Sequence, residues 1–285
     1  MKATNLVDAH HHVWDLGVRD QDWIRGEALG PLRRTFSLND LAPEARAAGV
    51  GATVLVQTVV VADETPELLR LAEDSDLVAG VVGWTDLTAP DVAEELDRLR
   101  SLPGGRHLVG IRHQVQSEPD PDWLLRPEVL RGLAAVAAEG LAYDLVIVPR
   151  QLPAALRAAG LLPQLTFVLD HAGKPAIAAG EREPWEAELR ALAALPNTVC
   201  KLSGLVTEAD WHAWSIDDLR PYTRVVLDAF GPGRVMFGSD WPVCTVAASY
   251  QQVVGTAQQL TEDLTDEERS SVFATTARRI YGLER

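Results

Sequence analysis

Two histidines spaced two apart, His10 and His12 in Asp8-Ala-His-His-His-Val-Trp, form the strongest chemical signal in the chain. On an extended strand this spacing points both imidazoles the same way, so both can bind one cation, while His11 points opposite. The triplet alone also fits polar packing at a strand end or an adventitious metal patch. His171, in Asp-His-Ala-Gly-Lys-Pro at 170–175, and Asp240, in Gly-Ser-Asp-Trp-Pro at 238–242, each end a separate strand-like run. Three imidazoles and a carboxylate suit Zn²⁺ or a similar divalent ion. Taken singly, His171 reads equally as a satisfied core histidine and Asp240 as a turn former. The four meet only if the fold gathers the strand ends.

The elements needed for that are present. Short runs rich in Val, Ile and Leu alternate with amphipathic stretches of helical period, the pattern of repeated βα units and a parallel sheet. Eight such units are expected, with strands ending near Val13, Val60, Asp86, Gln114, Val148, His171, Ser203 and Asp240. Helices are expected over Glu64 to Asp74, Asp91 to Arg100, Pro127 to Glu139, Glu186 to Leu195 and Leu219 to Phe230. A last one, Glu267 to Tyr281, is expected to close over the barrel. Alternation puts Val7, Ala9 and Val13 outside and Asp8, His10, His12 and Trp14 inside. It likewise puts Arg112 and Gln114 inside, and gives Phe167, Leu169 and His171 one face, Lys201 and Ser203 one face, and Met236, Gly238 and Asp240 one face. Polar residues at the carboxyl ends fit a (β/α)8 TIM barrel, whose active site lies there. A Rossmann arrangement fits worse, because no Gly-x-Gly-x-x-Gly or Walker-type loop occurs. One domain spanning 1–285 is expected.

The motifs at 10–12, 170–175 and 238–242 resemble those of the amidohydrolase superfamily. Gly110-Ile-Arg-His-Gln and Cys200-Lys-Leu-Ser-Gly-Leu resemble its branch of sugar-acid lactonases, including fuconolactonases and rhamnonolactonases. The similarity covers nearly the whole chain, with motifs in the expected order. It implies that His10 and His12 bind metal, that His171 ligates it or polarises the substrate carbonyl, and that Asp240 ligates it and exchanges the proton of the attacking water. A divalent ion lowers the pKa of bound water to about 7, and a neighbouring carboxylate relays the proton. One departure stands out: many binuclear relatives carry a bridging carboxylated Lys or Glu on a middle strand, and this chain offers Arg112, His113 and Gln114 there. One ion is therefore expected, Zn²⁺ first and Mn²⁺ as an alternative. Metal-independent turnover, as in some relatives of the branch, stays open.

For the substrate, Arg112 and Lys201 are expected to hold a carboxylate, a hydroxyl or the developing oxyanion, His171 and Arg112 being the candidates for the oxyanion. A structural ion pair with an acid such as Asp144 is the alternative for both cations. Gln57, His113, Gln114 and Ser203 are candidates for sugar hydroxyls, or for satisfying buried backbone groups. Trp14, Trp84 and Trp241 sit near strand ends, where an indole packs on a sugar face or merely on a loop. Trp23 and Trp211 lie in longer segments suited to lids. The expected reaction is opening of a sugar-acid lactone to the hydroxy acid. A decarboxylase or hydratase of the aminocarboxymuconate decarboxylase type, a hydrolase of aromatic-derived dicarboxylate lactones and a non-catalytic metal-binding scaffold are the alternatives.

Bulk properties narrow the partners. Lys plus Arg is 26 against 41 Asp plus Glu, a formal charge of −15, so nucleic acid and acidic membrane are not expected. No secretory signal or apolar run of the ~18 residues a membrane helix needs is visible. Two cysteines, Cys200 and Cys244, suit a reducing compartment, and the cytoplasm is expected. The oligomeric state stays open, a homo-oligomer included.

Overall fold

A computed structural model describes residues 6–283. Among them, eight parallel strands form one sheet in sequential order: β1 (Leu6–His11), β2 (Val50–Val56), β3 (Val78–Gly83), β4 (Leu108–His113), β5 (Ala142–Leu145), β6 (Phe167–Leu169), β7 (Thr198–Leu202) and β8 (Val235–Phe237). The helices are α1 (Leu38–Ala47), α2 (Glu64–Glu73), α3 (Val92–Arg100), α4 (Pro127–Ala138), α5 (Leu152–Leu161), α6 (Trp185–Ala193), α7 (Leu205–Glu208), α8 (Ile216–Phe230), α9 (Tyr250–Leu260), α10 (Asp266–Ser270) and α11 (Thr276–Tyr281). Outward strand residues such as Leu55, Ile111, Phe167 and Phe237 share one apolar cluster with Leu68, Leu96, Leu133 and Val226 of the surrounding helices. Burying each such side chain contributes about 1.5–3 kcal/mol. Helix starts are set locally: Ser249 and Gln252 cap α9 reciprocally, as Thr265 and Glu268 cap α10.

The TIM barrel read from the βα alternation is the fold observed. Every strand stops one to four residues before its expected end, because the carboxyl-terminal residues leave the ladder and turn into the mouth of the barrel. Closure between the last and first strands is made in that region. Asp240 N donates to His10 O at 2.8 Å and His12 N donates to Trp241 O at 2.7 Å, so the seam joins the two segments that carry candidate ligands.

The expected faces of the first strand need correction. Val7 and Ala9 point into the barrel with Val54, Val56, Val168 and Met236, whereas Asp8 turns outward to accept from Ser239 N and the Tyr250 hydroxyl. Three steps on β1, from Asp8 to His11, pair with two on β2, from Thr53 to Leu55. The extra residue is a β-bulge, which resets the alternation and sends His10 inward one position after Ala9. The shared face of Phe167, Leu169 and His171 also fails. Phe167 and Leu169 pack outward, and His171 reaches the mouth only because its φ is +53°.

The C-terminal segment is two short helices, α10 and α11, joined by a π-helical turn at Ser271–Thr275. It covers the end where the strands begin, opposite the mouth, and Tyr281 and Leu283 complete the interior cluster there.

Candidate active site

His10 and His12 come from the bulged end of β1, His171 from the turn after β6 and Asp240 from the seam after β8. All four are buried. His171 and Asp240 hold left-handed backbone, φ +53° and +58°, uncommon for non-glycine residues and maintained where the surroundings over-determine it. Gly204, itself at φ +64°, lies flat against the His171 ring: a Cβ there would sit 2.6 Å from Nδ1.

The four donors converge. His10 Nε2 lies 3.2 Å from His12 Nε2 and 3.7 Å from Asp240 Oδ1, which is 3.5 Å from His12 Nε2 and 3.9 Å from His171 Nε2. Ligands held at 2.0–2.1 Å around a tetrahedral ion are about 3.3 Å apart, so His10, His12 and Asp240 fit a divalent ion with slight contraction, and His171 Nε2 stands beside them, next to Asp240. The other ring nitrogens are anchored, as such sites require. His12 Nδ1 donates to Val56 O at 2.8 Å, which leaves Nε2 as the lone-pair nitrogen. His171 Nδ1 is 2.9 Å from Ser203 Oγ. His10 Nδ1 lies between Asp170 Oδ1 at 3.3 Å and Lys201 Nζ at 3.1 Å.

Burial raises the Asp240 carboxyl pKa, but His171, His12 and His10 pull it further down, to below the usual carboxylate range. Burial lowers the His171 pKa to about 4, against the opposing pull of Asp240 and Asp170. At neutral pH the mouth therefore holds the Asp240 carboxylate beside the neutral imidazoles of His10 and His171, the protonation state that binds a cation.

Asp170 is the principal residue that sequence reasoning missed. It is fully buried, with Oδ2 3.0 Å from Arg112 Nη1 and Oδ1 3.0 Å from Lys201 Nζ. Alternation from Val168 points it inward, so the signal was present beside His171. His10, Asp170 and His171 also cluster closely enough to hold an ion, but the two cations already neutralise Asp170.

A cavity of about 260 Å³ opens above these residues, lined by His12, Arg112, Gln114, His171 and Asp240. Its wall is completed by Asp22, Trp23, Thr58, Gln116, Ser117 and Lys174, and by apolar Val59, Val60, Val146 and Val243. Buried Glu64 fixes one wall by accepting from Thr58 N at 2.9 Å and Val59 N at 3.1 Å. Arg112 donates through Nε to Gln57 Oε1, through Nη2 to Gln57 O and through Nη1 to Asp170, while Gln114 donates to Gln57 Oε1 and Thr58 O. Lys174 pairs with Glu208 at 3.6 Å. Lys174 lies within the 170–175 motif, yet nothing in the sequence marks its side chain as lining.

Several expected substrate contacts lie elsewhere. Lys201 is fully buried beneath the cavity, paired with Asp144, the structural alternative of the sequence reading. Gln57 is buried behind Arg112. His113 stacks on Trp123 with ring centroids 4.2 Å apart, accepts from Trp84 Nε1 and donates from Nε2 to Glu118, so both His113 and Trp84 brace the loop after β4. Ser203 reaches His171 rather than the cavity. Trp14 donates to Arg34 O and Trp241 packs edge-on against Phe36; both are loop packing. Of the two lid tryptophans, Trp23 lines the cavity, and Trp211 donates to Thr207 O.

A parallel barrel with histidine and aspartate donors gathered at its carboxyl mouth is the architecture of the amidohydrolases, and the chain belongs to that family, whose sequence model matches residues 7–283. Among relatives of known activity, it is 43% identical to an L-fucono-1,5-lactonase of Burkholderia multivorans, over 97% of this chain and 96% of that one. It is 40% identical to an L-fucono-1,5-lactonase of Burkholderia ambifaria, over 87% and 83%. Among solved structures, it matches an amidohydrolase from Burkholderia multivorans with bound zinc at a TM-score of 0.91, with 42% identity, covering 99% of this chain and 100% of that one. A divalent ion is thus supported by family, neighbour and donor set together. Among the described residues, no helix is long and apolar enough to cross a membrane.

Proposed function

We propose that this protein hydrolyses a sugar-acid lactone of the L-fucono-1,5-lactone type to the open hydroxy acid. The observation that carries the reading is the gathering of His10, His12, His171 and Asp240 beneath a cavity lined by hydrogen-bonding groups, valines and two ion-paired cations. A volume of about 260 Å³ lies just under the roughly 300–1,000 Å³ of sites for drug-sized ligands and suits one sugar ring. Gln114, Gln116, Ser117 and Thr58 provide partners for hydroxyls. Both cations among the lining residues are already paired, Arg112 with Asp170 and Lys174 with Glu208, which disfavours a dicarboxylate lactone.

His10, His12, His171 and Asp240 would hold the ion, and Zn²⁺ is the ion we favour, from the three imidazoles and the zinc-bound neighbour. Such an ion supplies a water of pKa about 7 and polarises a carbonyl oxygen. Asp240, ionised, takes the proton as the water oxygen bonds to the lactone carbonyl carbon. Arg112, which lines the cavity, faces the oxygen on which negative charge develops. The bond from the carbonyl carbon to the ring oxygen then breaks, and Asp240 returns its proton to that oxygen as it leaves. We place the enzyme in the cytoplasm, in keeping with two buried, unpaired cysteines.

A pH-indicator assay against a panel of aldonolactones, with and without added Zn²⁺ or Mn²⁺, tests the reading. Acid release from L-fucono-1,5-lactone or a close stereoisomer is expected; silence across the panel from folded protein rejects it.

A further inference from the structure

Lys201 has no access to the cavity, yet its ammonium is fully buried between two carboxylates. Lys201 Nζ donates to Asp144 Oδ2 at 2.5 Å, pairs with Asp170 Oδ1 at 3.0 Å and lies 3.1 Å from His10 Nδ1, whose hydrogen is directed at Asp170 when Nε2 is the ligand nitrogen. Asp144 is in turn held from below, because the Tyr281 hydroxyl lies 2.9 Å from each of its oxygens and donates to them. The Tyr281 ring sits under the ammonium, 5.5 Å from centroid to Nζ. A buried chain therefore runs from the C-terminal helix α11, at the closed end of the barrel, through Asp144 and Lys201 to His10 at the mouth.

We propose that Tyr281 is a positioning residue for His10, acting through Asp144 and Lys201, so that the C-terminal helix takes part in building the ion site. This rests on His10 being a ligand. His10 Nε2 faces the other donors, with Arg112 Nη1 3.4 Å away, and Nδ1 is flanked by Asp170 and Lys201. Asp170 is itself fixed from Arg112 on one oxygen and from Lys201 on the other. Without the Tyr281 hydroxyl, Asp144 loses its second donor and can turn with the ammonium it holds. The ammonium and Asp170, which it helps to hold against His10 Nδ1, then shift together. Partners that orient a metal ligand typically change metal affinity 10–100-fold when removed; one link further out, about tenfold is expected.

Tyr281→Phe keeps the ring that packs the barrel floor and removes only the hydroxyl. The control is Arg279→Ala, on the same helix, which loses a hydrogen bond to Gly233 O and leaves Tyr281 intact. For each full-length protein, the Zn²⁺ dissociation constant is measured by competition with a chromophoric chelator, and the ring ¹⁵N shifts of His10 are recorded on metal-free protein. Tyr281→Phe should bind Zn²⁺ about tenfold more weakly and shift the His10 ring signals, while Arg279→Ala lowers the melting temperature and leaves both unchanged. Wild-type affinity and unmoved His10 signals in Tyr281→Phe overturn the proposal, as does equal weakening in Arg279→Ala. Wild-type protein that binds no Zn²⁺ rejects the ion site instead, and the His10 shifts then decide the positioning role.

Discussion

Asp240→Asn isolates the proton-transfer role, because asparagine matches the carboxylate in shape and tolerates the left-handed backbone, φ +58°, that Asp240 holds. Asp240→Ala would mix two effects, since left-handed backbone costs an ordinary residue roughly 1–2 kcal/mol. The asparagine amide cannot take a proton from water, and a positioned acid–base group contributes about 10²–10⁴-fold. It also removes the negative charge 3.5–3.9 Å from three imidazole nitrogens, weakening the hold on a cation. A fall in turnover of at least 10³-fold is therefore expected, about 4 kcal/mol of barrier. The assay is acid release from the best lactone at saturating Zn²⁺, with a thermal melt to establish that the fold persists. Turnover within tenfold of wild type, in protein melting normally, would refute the assignment of Asp240 as the group that takes the proton of the attacking water.

Gly204→Ala forces a Cβ to within 2.6 Å of His171 Nδ1 at a position with φ +64°; it should lower stability by about 1–2 kcal/mol and turn His171 off the site, and an unchanged kcat would contradict the tight packing. Exhaustive chelation should lower the melting temperature, and Zn²⁺ at 100 times its dissociation constant should restore about 2.7 kcal/mol of stability; identical melts with and without the ion would argue against a built site. Burial lowers the His113 pKa, with Glu118 and Asp86 opposing it, so the unfolded chain takes up the extra proton first as pH falls below about 6.5. Stability from this group is present above that pH and is lost towards the lowered folded value, at a slope approaching about 1.4 kcal/mol per pH unit. Denaturant titrations between pH 7.5 and 5.5 should show a shallower loss in His113→Gln; equal slopes would discount His113.

The barrel was legible because each βα unit repeats the same contrast of β-branched run and amphipathic helix, and the polar ends of the runs named the mouth. Period-two reasoning placed Arg112 and Gln114 correctly and would have found Asp170. It failed at β1, where one extra residue between Asp8 and His11 changes the face of everything after it. A bulge has no composition of its own here; only the pairing with β2 reveals it. His171 escaped the alternation for a different reason, since positive φ at His171, Ala172 and Lys174 is forced by tertiary packing on residues that ordinarily avoid it. The error over Lys201 is instructive in another way. The pattern correctly aimed it inward, but inward residues of a barrel occupy layers, and only depth along the strand separates a cavity wall from the packed floor beneath it.

That depth settles how charge is distributed. Three carboxylates, Asp144, Asp170 and Asp240, and two cations, Arg112 and Lys201, are buried in the barrel. Unpaired, each would cost several kcal/mol. Lys201 answers Asp144, and Arg112 with Lys201 answers Asp170, so the floor is close to neutral. Asp240 alone has only imidazoles around it, and burial lowers the pKa of both His10 and His171, so these rings do not supply its counter-charge at neutral pH. Of these three carboxylates, the one lacking a resident cation is thus the one with three imidazole nitrogens within 3.9 Å of it. A single divalent ion leaves that cluster with one net positive charge, enough to favour an oxyanion over a neutral lactone. An ion held by His10, Asp170 and His171 would have to displace Arg112 or Lys201 from Asp170, and the fourth strand carries Arg112 where a bridging acid would be needed.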